Sequence, residues 1–581
     1  MIPDKIAPEL LAMRKARSKM RKNTFARRYG QCGVISDQSA KPVRVIVLIE
    51  CAEEADFTHL AASGIRINQE TGSIRTAFLP LRRLGRLSDE PAIYHIYSSE
   101  TLDTAMDLAA QHVALPLFQT TTKLTGGGVI LGLVDTGFAP RHPALRGRIL
   151  RAWDQLSHGD GVSEGKYGIE LVGQRIEQEL DDPRGHGTHV AGIAAGGGAK
   201  FRGVAPGADL VLVRSDLNDA HVMDGLQYIF RVATELGRPA VINLSLASLP
   251  GPYDGSDPLC KRIDGLSGPG RIICCAAGNR GEQHIHAQVN LVQGQTVVVS
   301  FGLSSGLREV QVRGAYRRAN RLTVAMQLPD GTTSGLVNSS QAGRQELMLG
   351  ASLEFSELSS GSEWGKLTMT LPGSALKKAR EWRLLLSGDE VVDRRVDLWL
   401  RGLREDGQPI GKDDLWFISH VDDTLKIGTP GAAASAITVA SLTTRNEWRN
   451  RFGEKQTTNA PLHDISPFSS AGPLLNGGQK PDIAAPGAWI VSAQADGVQV
   501  GREAQIDQAH SVRDGTSMAA AFISGLVALL LEHDPTLTPA QVKKLLQSSS
   551  HTPSLPVGLF DVRWGYGLPD AAQLMQRLIS G

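Results

Sequence analysis

Asp514-Gly-Thr-Ser517-Met-Ala-Ala-Ala-Phe-Ile-Ser-Gly-Leu-Val-Ala-Leu-Leu-Leu531 is a small-residue turn running into a long apolar segment with no proline inside it. The run is too short to cross a bilayer and too apolar to lie on a surface, so it predicts a central core helix. Ser517 falls in its first turn, where unpaired backbone N–H groups and the positive end of the helix dipole converge. By itself such a serine reads as a helix N-cap. The surrounding chain gives it other company.

Upstream, Val129-Ile-Leu-Gly-Leu-Val-Asp135-Thr-Gly137 is a continuous apolar run ending in an aspartate, the pattern of a parallel strand covered on both faces. In open α/β sheets, functional groups gather at the carboxyl ends of such strands. Arg184-Gly-His186-Gly-Thr-His189-Val-Ala-Gly-Ile-Ala-Ala-Gly196 sets glycines around a histidine and continues as a small-residue helix suited to close packing. Further βα alternation runs through Asp209–Arg214 (strand), His221–Leu236 (helix) and Ala240–Leu246 (strand). Arg271-Ile-Ile-Cys-Cys-Ala-Ala-Gly-Asn279 is another buried strand ending in a polar side chain.

Between residues 284 and 425 the texture changes to short alternating runs separated by turns such as Pro329-Asp-Gly331. Thr296–Phe301, Leu322–Gln327, Lys366–Thr370, Trp382–Leu386 and Val396–Leu400 are the clearest. Their spacing predicts an all-β sandwich inserted into the α/β body. The α/β texture resumes at Ala436-Ile-Thr-Val-Ala440 and passes through Lys480-Pro-Asp-Ile-Ala-Ala-Pro-Gly487 to the opening helix. A last helix follows over Thr538–Gln547.

Near the N-terminus, Val43 to Tyr97 reads β-α-β-β-α-β, with a hairpin around Glu70-Thr-Gly-Ser73, which predicts a small ferredoxin-like domain. Ahead of it lie Arg14-Lys15-Ala-Arg17-Ser-Lys19-Met-Arg21-Lys22 and Arg27-Arg28, read as a solvated basic helix in preference to a polyanion-binding arm, with no function assigned. The expected organisation is an arm over 1–40, the small domain over 41–105, an α/β body over 106–283 and 426–581, and the β insertion over 284–425.

Of 581 residues, 41% are hydrophobic and 21% charged, an ordinary globular composition. The net charge of +1 points to no nucleic-acid or acidic-membrane partner. The first residues lack the basic and apolar regions of a secretory signal. The five cysteines are odd in number and scattered, and Cys274-Cys275 read as buried thiols. Both features lead to the expectation of a cytoplasmic location.

Asp135, His186 and Ser517 stand in that order, and one chemistry needs those three types. A serine hydroxyl is a poor nucleophile until an imidazole takes its proton. The imidazole in turn needs a buried carboxylate to fix its tautomer and stabilise the imidazolium. The separate readings are plainer: Asp135 as a strand-end turn former, and His186 as a metal ligand with His189. No carboxylate or cysteine cluster completes such a site, so no metal is expected. An α/β-hydrolase esterase is disfavoured, because Ser517 lies in Gly-Thr-Ser-Met-Ala rather than a G-x-S-x-G elbow and the chain order differs.

Val134-Asp135-Thr-Gly137, Gly185-His186-Gly-Thr-His-Val-Ala-Gly192, Ala276-Ala-Gly-Asn279 and Gly515-Thr-Ser517-Met-Ala519 together resemble the subtilisin family of serine endopeptidases, the subtilases. Gly203-Val-Ala-Pro-Gly207, Asn243-Leu-Ser-Leu246 and Lys480-Pro-Asp-Ile-Ala-Ala-Pro-Gly487 support it, over roughly residues 115–283 and 426–575. The resemblance implies an α/β fold with a doubly wound, mainly parallel sheet and helices on both faces. It also implies a ferredoxin-like prodomain and a jelly-roll-like insertion, as in some bacterial subtilases. Ser517 would be the nucleophile, His186 the general acid/base, Asp135 the orienting carboxylate and Asn279 an oxyanion donor. A polypeptide substrate would lie as an extended strand against Ser245, Leu246 and Ala247 and against the segment near Arg214, in a β-augmentation mode. Ser245–Ala247 and Ala276–Gly278 would wall the S1 pocket, with Gly428 as its floor.

Two departures stand out. Ala247 replaces a common glycine, and Arg214-Ser-Asp-Leu-Asn218 lacks the glycines frequent on the other substrate strand. The resulting expectation is a P1 preference for uncharged, medium-sized side chains. The small domain would act as an intramolecular inhibitor, autoprocessed between Tyr97 and Ala110, or else remain as a permanent regulatory domain. The rival function is a catalytically silent, subtilase-like binding protein. No cofactor is implied; structural calcium is common in the family, but no carboxylate cluster offers ligands for it.

Overall fold

The computed structural model describes residues 2–6, 8–17, 34–35, 43–67, 73–98, 110, 113–198, 200–248, 253–341, 343–358, 362–408, 410–553 and 555–580. The chain divides into two units, Met1–Thr104 and Ala105–Gly581.

The larger unit is organised on an eight-stranded sheet. From one edge its strands are Ile483–Ala488, Ile437–Thr443, Arg271–Ala276, Ala240–Leu244, Ile130–Asp135, Asp209–Arg214, Ile149–Asp154 and Ile169–Val172. Neighbours pair in parallel except at the far edge, where Ile149–Asp154 and Ile169–Val172 are antiparallel. The chain first builds on one side of Ile130–Asp135, then crosses to Ala240–Leu244 and builds on the other. The carboxyl ends of these two strands therefore flank a topological switch point, where such sheets gather functional groups.

Every residue of Ile130–Asp135 and Ala240–Leu244 is buried. Leu131 and Leu133 pack with Thr516–His533, while Ile130 and Val134 pack with the helix Asp219–Glu235 on the opposite face. Cover on both faces is what requires the strand to be apolar without alternation. Contrary to the expectation from sequence, Thr516–His533 is long and apolar enough to cross a membrane by length and composition; it is the burial of 83% of it in the protein that makes it a core helix. Each leucine or isoleucine enclosed there contributes about 1.5–3 kcal/mol relative to exposure.

After Asn279 the chain enters two antiparallel sheets and returns to the α/β body ahead of Gly428. One sheet runs His286–Asn290, Arg395–Arg404, Leu307–Arg317, Trp364–Pro372, Ser352–Glu357, Gly343–Glu346. The other runs Val337–Asn338, Arg321–Gln327, Glu381–Glu390, Thr296–Leu303, Leu415–Phe417. Trp364–Pro372 and Glu381–Glu390 alternate between buried and half-buried residues, and their inward side chains share a core with Val299, Phe301 and Leu398.

In the smaller unit Arg44–Cys51 lies between Ile74–Pro80 and Ile93–Ser98, and Arg66–Ile67 pairs beyond Ile74–Pro80, all antiparallel. Val34–Ile35 pairs with Arg44 and Val45. Short 3-10 turns at Thr58–Ser63 and Leu81–Arg83, the latter continuing as Leu84–Ser88, supply Leu60, Leu84 and Leu87 to the core. One boundary needs correction. The stretch read as a solvated basic helix does hold a helix, Pro8–Arg17, but its Leu10 and Met13, with Ile6 just ahead of it, are buried in this core. Leu10 and Met13, three residues apart, lie on one face of the helix with Lys15 exposed on another, while Ile6, ahead of the helix, is extended and bridges Ile96. The remaining basic residues from Lys19 to Arg28, the hairpin turn at 70–72 and most of the stretch between Tyr97 and Ala110 lie outside the described residues.

Candidate active site

Asp135 ends its strand with a side chain 1% exposed. Thr136 N donates to its Oδ1 at 2.7 Å, and His186 Nδ1 lies 2.9 Å from Oδ1 and 2.8 Å from Oδ2. A carboxylate at Nδ1 fixes the tautomer that leaves Nε2 as the proton acceptor. Burial pushes the His186 pKa down, but the charge and hydrogen bond of Asp135 more than offset it, so the net shift is upward. The nearby Arg513 charge opposes Asp135.

His186 opens the helix His186–Ala195, and the start of that helix is held by one buried carboxylate. Asp182 Oδ1 accepts from Arg184 N (3.2 Å) and Gly185 N (2.7 Å); Oδ2 accepts from Thr188 N (2.9 Å) and Thr188 Oγ1 (2.6 Å). These satisfy N–H groups that a helix start leaves open. Gly187 permits the close approach to the aspartate strand, because a Cβ there would stand 2.2 Å from Gly137 O and 3.0 Å from Asp135 Cβ. His189 is fully buried and its Nε2 bonds Ser511 O at 3.1 Å; burial lowers its pKa to about 3. The two histidines are thus committed to different partners. Among the described residues, no group of three or more His, Cys, Asp or Glu is placed to hold a metal.

Ser517 is the second residue of Thr516–His533, and Gly515 occupies the cap position. The hydroxyl does not cap the helix. It donates to Ser245 O at 3.1 Å, and among the described hydrogen bonds none joins it to His186. Ser245 Oγ in turn donates to Ser517 O (2.9 Å) and accepts from Asn243 Nδ2 (2.8 Å). The strand end and the helix start are therefore clasped by reciprocal bonds between Ser245 and Ser517.

Asn279 Oδ1 accepts from Thr516 N (3.0 Å) and Thr516 Oγ1 (2.9 Å), and Thr516 Oγ1 accepts from Gly278 N (3.1 Å). With Oδ1 engaged by two donors, the amide orientation follows from the network and Nδ2 remains as the outward donor. Thr516 and Asp182 were not singled out from sequence. Asp182 carried a signal, an aspartate three residues ahead of Gly185 where a helix begins. Thr516 carried none beyond its place beside Ser517.

In the segment expected to hold substrate, Ser245 is buried, Leu246 half-buried and Ala247 exposed, just past Ala240–Leu244. Ala276 and Gly278 are buried at the end of the neighbouring strand, and Gly428 is buried ahead of Thr429. Ser248 N donates to Thr429 O (2.8 Å) and Thr429 Oγ1 to Asp257 Oδ2 (2.8 Å), tying the Ser245–Ala247 segment to the loop containing Gly428. A Cβ on Gly278 would meet the Ala247 methyl at 3.4 Å. That methyl therefore stands in the slot opposite Gly278. Arg214 is occupied, with Nη1 3.2 Å from Asp154 and 2.6 Å from Asp181. On the His186 side a cavity of about 500 Å³ is lined by Trp448, Trp489, Gln456, Val512, Arg513 and Met518. The two indoles stack with centroids 4.9 Å apart.

This chain is 23% identical over 484 residues to serine protease AprX of Bacillus subtilis (strain 168), covering 80% of this chain and 71% of that protein. With subtilisin-like protease SBT1.2 of Arabidopsis thaliana it shares 24% over 521 residues, spanning 62% of that protein; it spans 23% of a PII-type proteinase of Lactococcus lactis subsp. cremoris. The solved structure of the Clostridium perfringens CspB protease superposes with a TM-score of 0.68 at 22% identity, covering 81% of this chain and 97% of that one. The profile of the subtilase family, Peptidase_S8, matches residues 126–330 and 410–567, which leaves a gap inside the two antiparallel sheets. With the doubly wound parallel sheet and a family match over more than half its length, the chain belongs to the subtilase family of serine peptidases.

Proposed function

We propose that this chain is a serine endopeptidase in which Ser517 is the nucleophile, His186 the general acid/base, Asp135 its orienting carboxylate, and Asn279 Nδ2 with Ser517 N–H the oxyanion donors. The supporting observation is the pairing of His186 Nδ1 with both oxygens of Asp135, beside a helix start that presents Ser517. Before attack, the Ser517 hydroxyl leaves Ser245 O and turns to His186 Nε2, a rotation between staggered side-chain wells. His186 takes the hydroxyl proton as Oγ bonds to the scissile carbonyl carbon, and the carbonyl electrons collect on the oxyanion. Collapse breaks the C–N bond, and His186 returns the proton to the departing amine. Water, deprotonated by His186, then releases the acyl group and restores the hydroxyl.

The substrate would extend along Ser245–Ala247 and place its leaving-group side toward the Trp448–Trp489 cavity. We also propose that the small N-terminal unit is the intramolecular inhibitor and that Ser517 removes it. Labelling by a fluorophosphonate tests the core of this reading, because it requires an activated serine and a formed oxyanion site. Labelling is expected for the full chain and not for Ser517→Ala, with peptide turnover reduced by about 10⁶. A correctly folded chain that stays unlabelled after its N-terminal unit has been removed would instead support the silent binding protein. Mass spectrometry of both proteins tests processing: cleavage persisting in Ser517→Ala would rule out self-processing.

A further inference from the structure

The space beside the candidate substrate segment is shaped by the β insertion. The Ala247 methyl narrows the slot opposite Gly278, whereas a cleft of about 440 Å³ opens beyond it, between Ala247–Ser248 and the end of strand Arg395–Arg404. Four arginines line this cleft: Arg280 next to Asn279, Arg308 on Leu307–Arg317, and Arg401 and Arg404 on Arg395–Arg404.

Their charges are unevenly matched. Arg404 is engaged by Asp406 (3.1 Å) and Asp414 (2.8 Å). Glu405, the carboxylate in the lining, is exposed and has Lys377 4.0 Å away. Among the described residues, Arg280, Arg308 and Arg401 make no ion pair. Arg280 Nη1 donates to neutral oxygens, Gln283 Oε1 at 2.7 Å and Ile410 O at 3.5 Å. Its half-buried guanidinium is pushed below the ordinary arginine value by burial, and no carboxylate counters that effect. A partly desolvated cation without an anion favours an incoming negative charge.

We infer that the cleft receives an acidic side chain, Asp or Glu, from the three substrate residues preceding the scissile bond. This rests on the reading of Ser245–Ala247 as the substrate strand. Beside the expectation for P1 it sets an anionic preference at one position on the acyl side, contributed jointly by Arg280 of the α/β body and Arg308 and Arg401 of the insertion.

The test uses the full chain and matched quenched-fluorescent peptides carrying Asp, Asn or Lys singly at each of the three positions before the scissile bond. At one of those positions kcat/KM is expected to rank Asp above Asn above Lys, with about tenfold between Asp and Asn, near 1.4 kcal/mol. The ratio should shrink as salt rises, since the pairing is partly exposed. Arg280→Gln and the exposed Arg401→Gln should each reduce the Asp-to-Asn ratio by several-fold. Arg401→Gln keeps the test open if Arg280→Gln fails to fold. Equal or better cleavage of Asn peptides at all three positions overturns the inference and leaves the peptidase reading intact. Absence of turnover on every peptide counts against the peptidase reading. In that case fluorescence anisotropy of the same peptides on Ser517→Ala decides the cleft: tighter binding of the Asp peptide supports it, and no difference overturns it.

Discussion

At the start of His186–Ala195, one carboxylate takes four donors, a glycine lets the backbone touch the aspartate strand, and both oxygens of Asp135 hold the imidazole. At the start of Thr516–His533 the cap residue, Gly515, has no side chain to offer, and a single acceptor, Asn279 Oδ1, takes the N–H of Thr516. Thr516 is bound to Asn279, and the Ser517 hydroxyl rests on a single backbone carbonyl. The imidazole is over-determined, whereas the hydroxyl is held by one bond. A base that must keep one tautomer through a cycle gains from the first arrangement. A nucleophile that must change partners needs the second.

Breaking the firm end should give the larger effect. Asp135→Asn keeps the shape but presents an amide that favours the wrong tautomer, so kcat is expected to fall about 10⁴-fold. The pH profile should move as well. The base works only when neutral, so kcat/KM of the wild type rises with pH through the His186 pKa, which Asp135 holds above the ordinary histidine value. Removing that carboxylate leaves burial as the main influence on His186, and the acid limb should shift to lower pH. A residual pH–rate profile with an unmoved or raised limb would detach His186 from the rate.

The looser end is probed through the oxyanion side. Asn279→Ala is expected to lower kcat by about 10²–10³ with little change in KM. Thr516→Val removes the hydroxyl bridging Gly278 N and Asn279 Oδ1 while Thr516 N still holds Oδ1, so a loss of about tenfold is expected, acting through the asparagine. In a double-mutant cycle the Thr516→Val effect should vanish on the Asn279→Ala background. Full additivity would show that Thr516 acts elsewhere.

The same contrast explains what could be read from the chain. Ile130–Asp135 and Thr516–Leu531 were legible because cover on both faces of a strand, or all round a helix, demands unbroken apolar runs. The α/β class followed from several such runs in alternation, whereas the doubly wound arrangement was implied by the family resemblance. Local patterning says nothing about partners far apart. Thr516 meets Asn279 across 237 residues, and Ser517 meets Ser245 across 272. The arginine-lined cleft exists only because strand Arg395–Arg404 comes to lie beside Ala247 and Arg280. Leu10 and Met13 were obscured for a different reason: two apolar residues on one helical face are outvoted, in composition, by the basic residues around them.

The smallest expected catalytic effect comes from the carboxylate behind the firm end. In Asp182→Asn one oxygen can still accept from two donors. The other becomes an NH₂ group facing Thr188 N, whose hydrogen bond it cannot accept, and the Thr188 hydroxyl, which already accepts from Ala139 N at 2.8 Å. Leaving a buried backbone N–H unpaired costs about 1–3 kcal/mol, and the cost should appear as lower stability in chemical denaturation at neutral pH. Well below the midpoint the helix start remains closed, so kcat should fall less than about tenfold, because Asp135 still holds His186 directly. If Asp182→Asn instead lost as much activity as Asp135→Asn with stability unchanged, Asp182 would belong to the proton-handling machinery. The distinction between a firm base and a movable nucleophile would then have to be redrawn around a second buried acid.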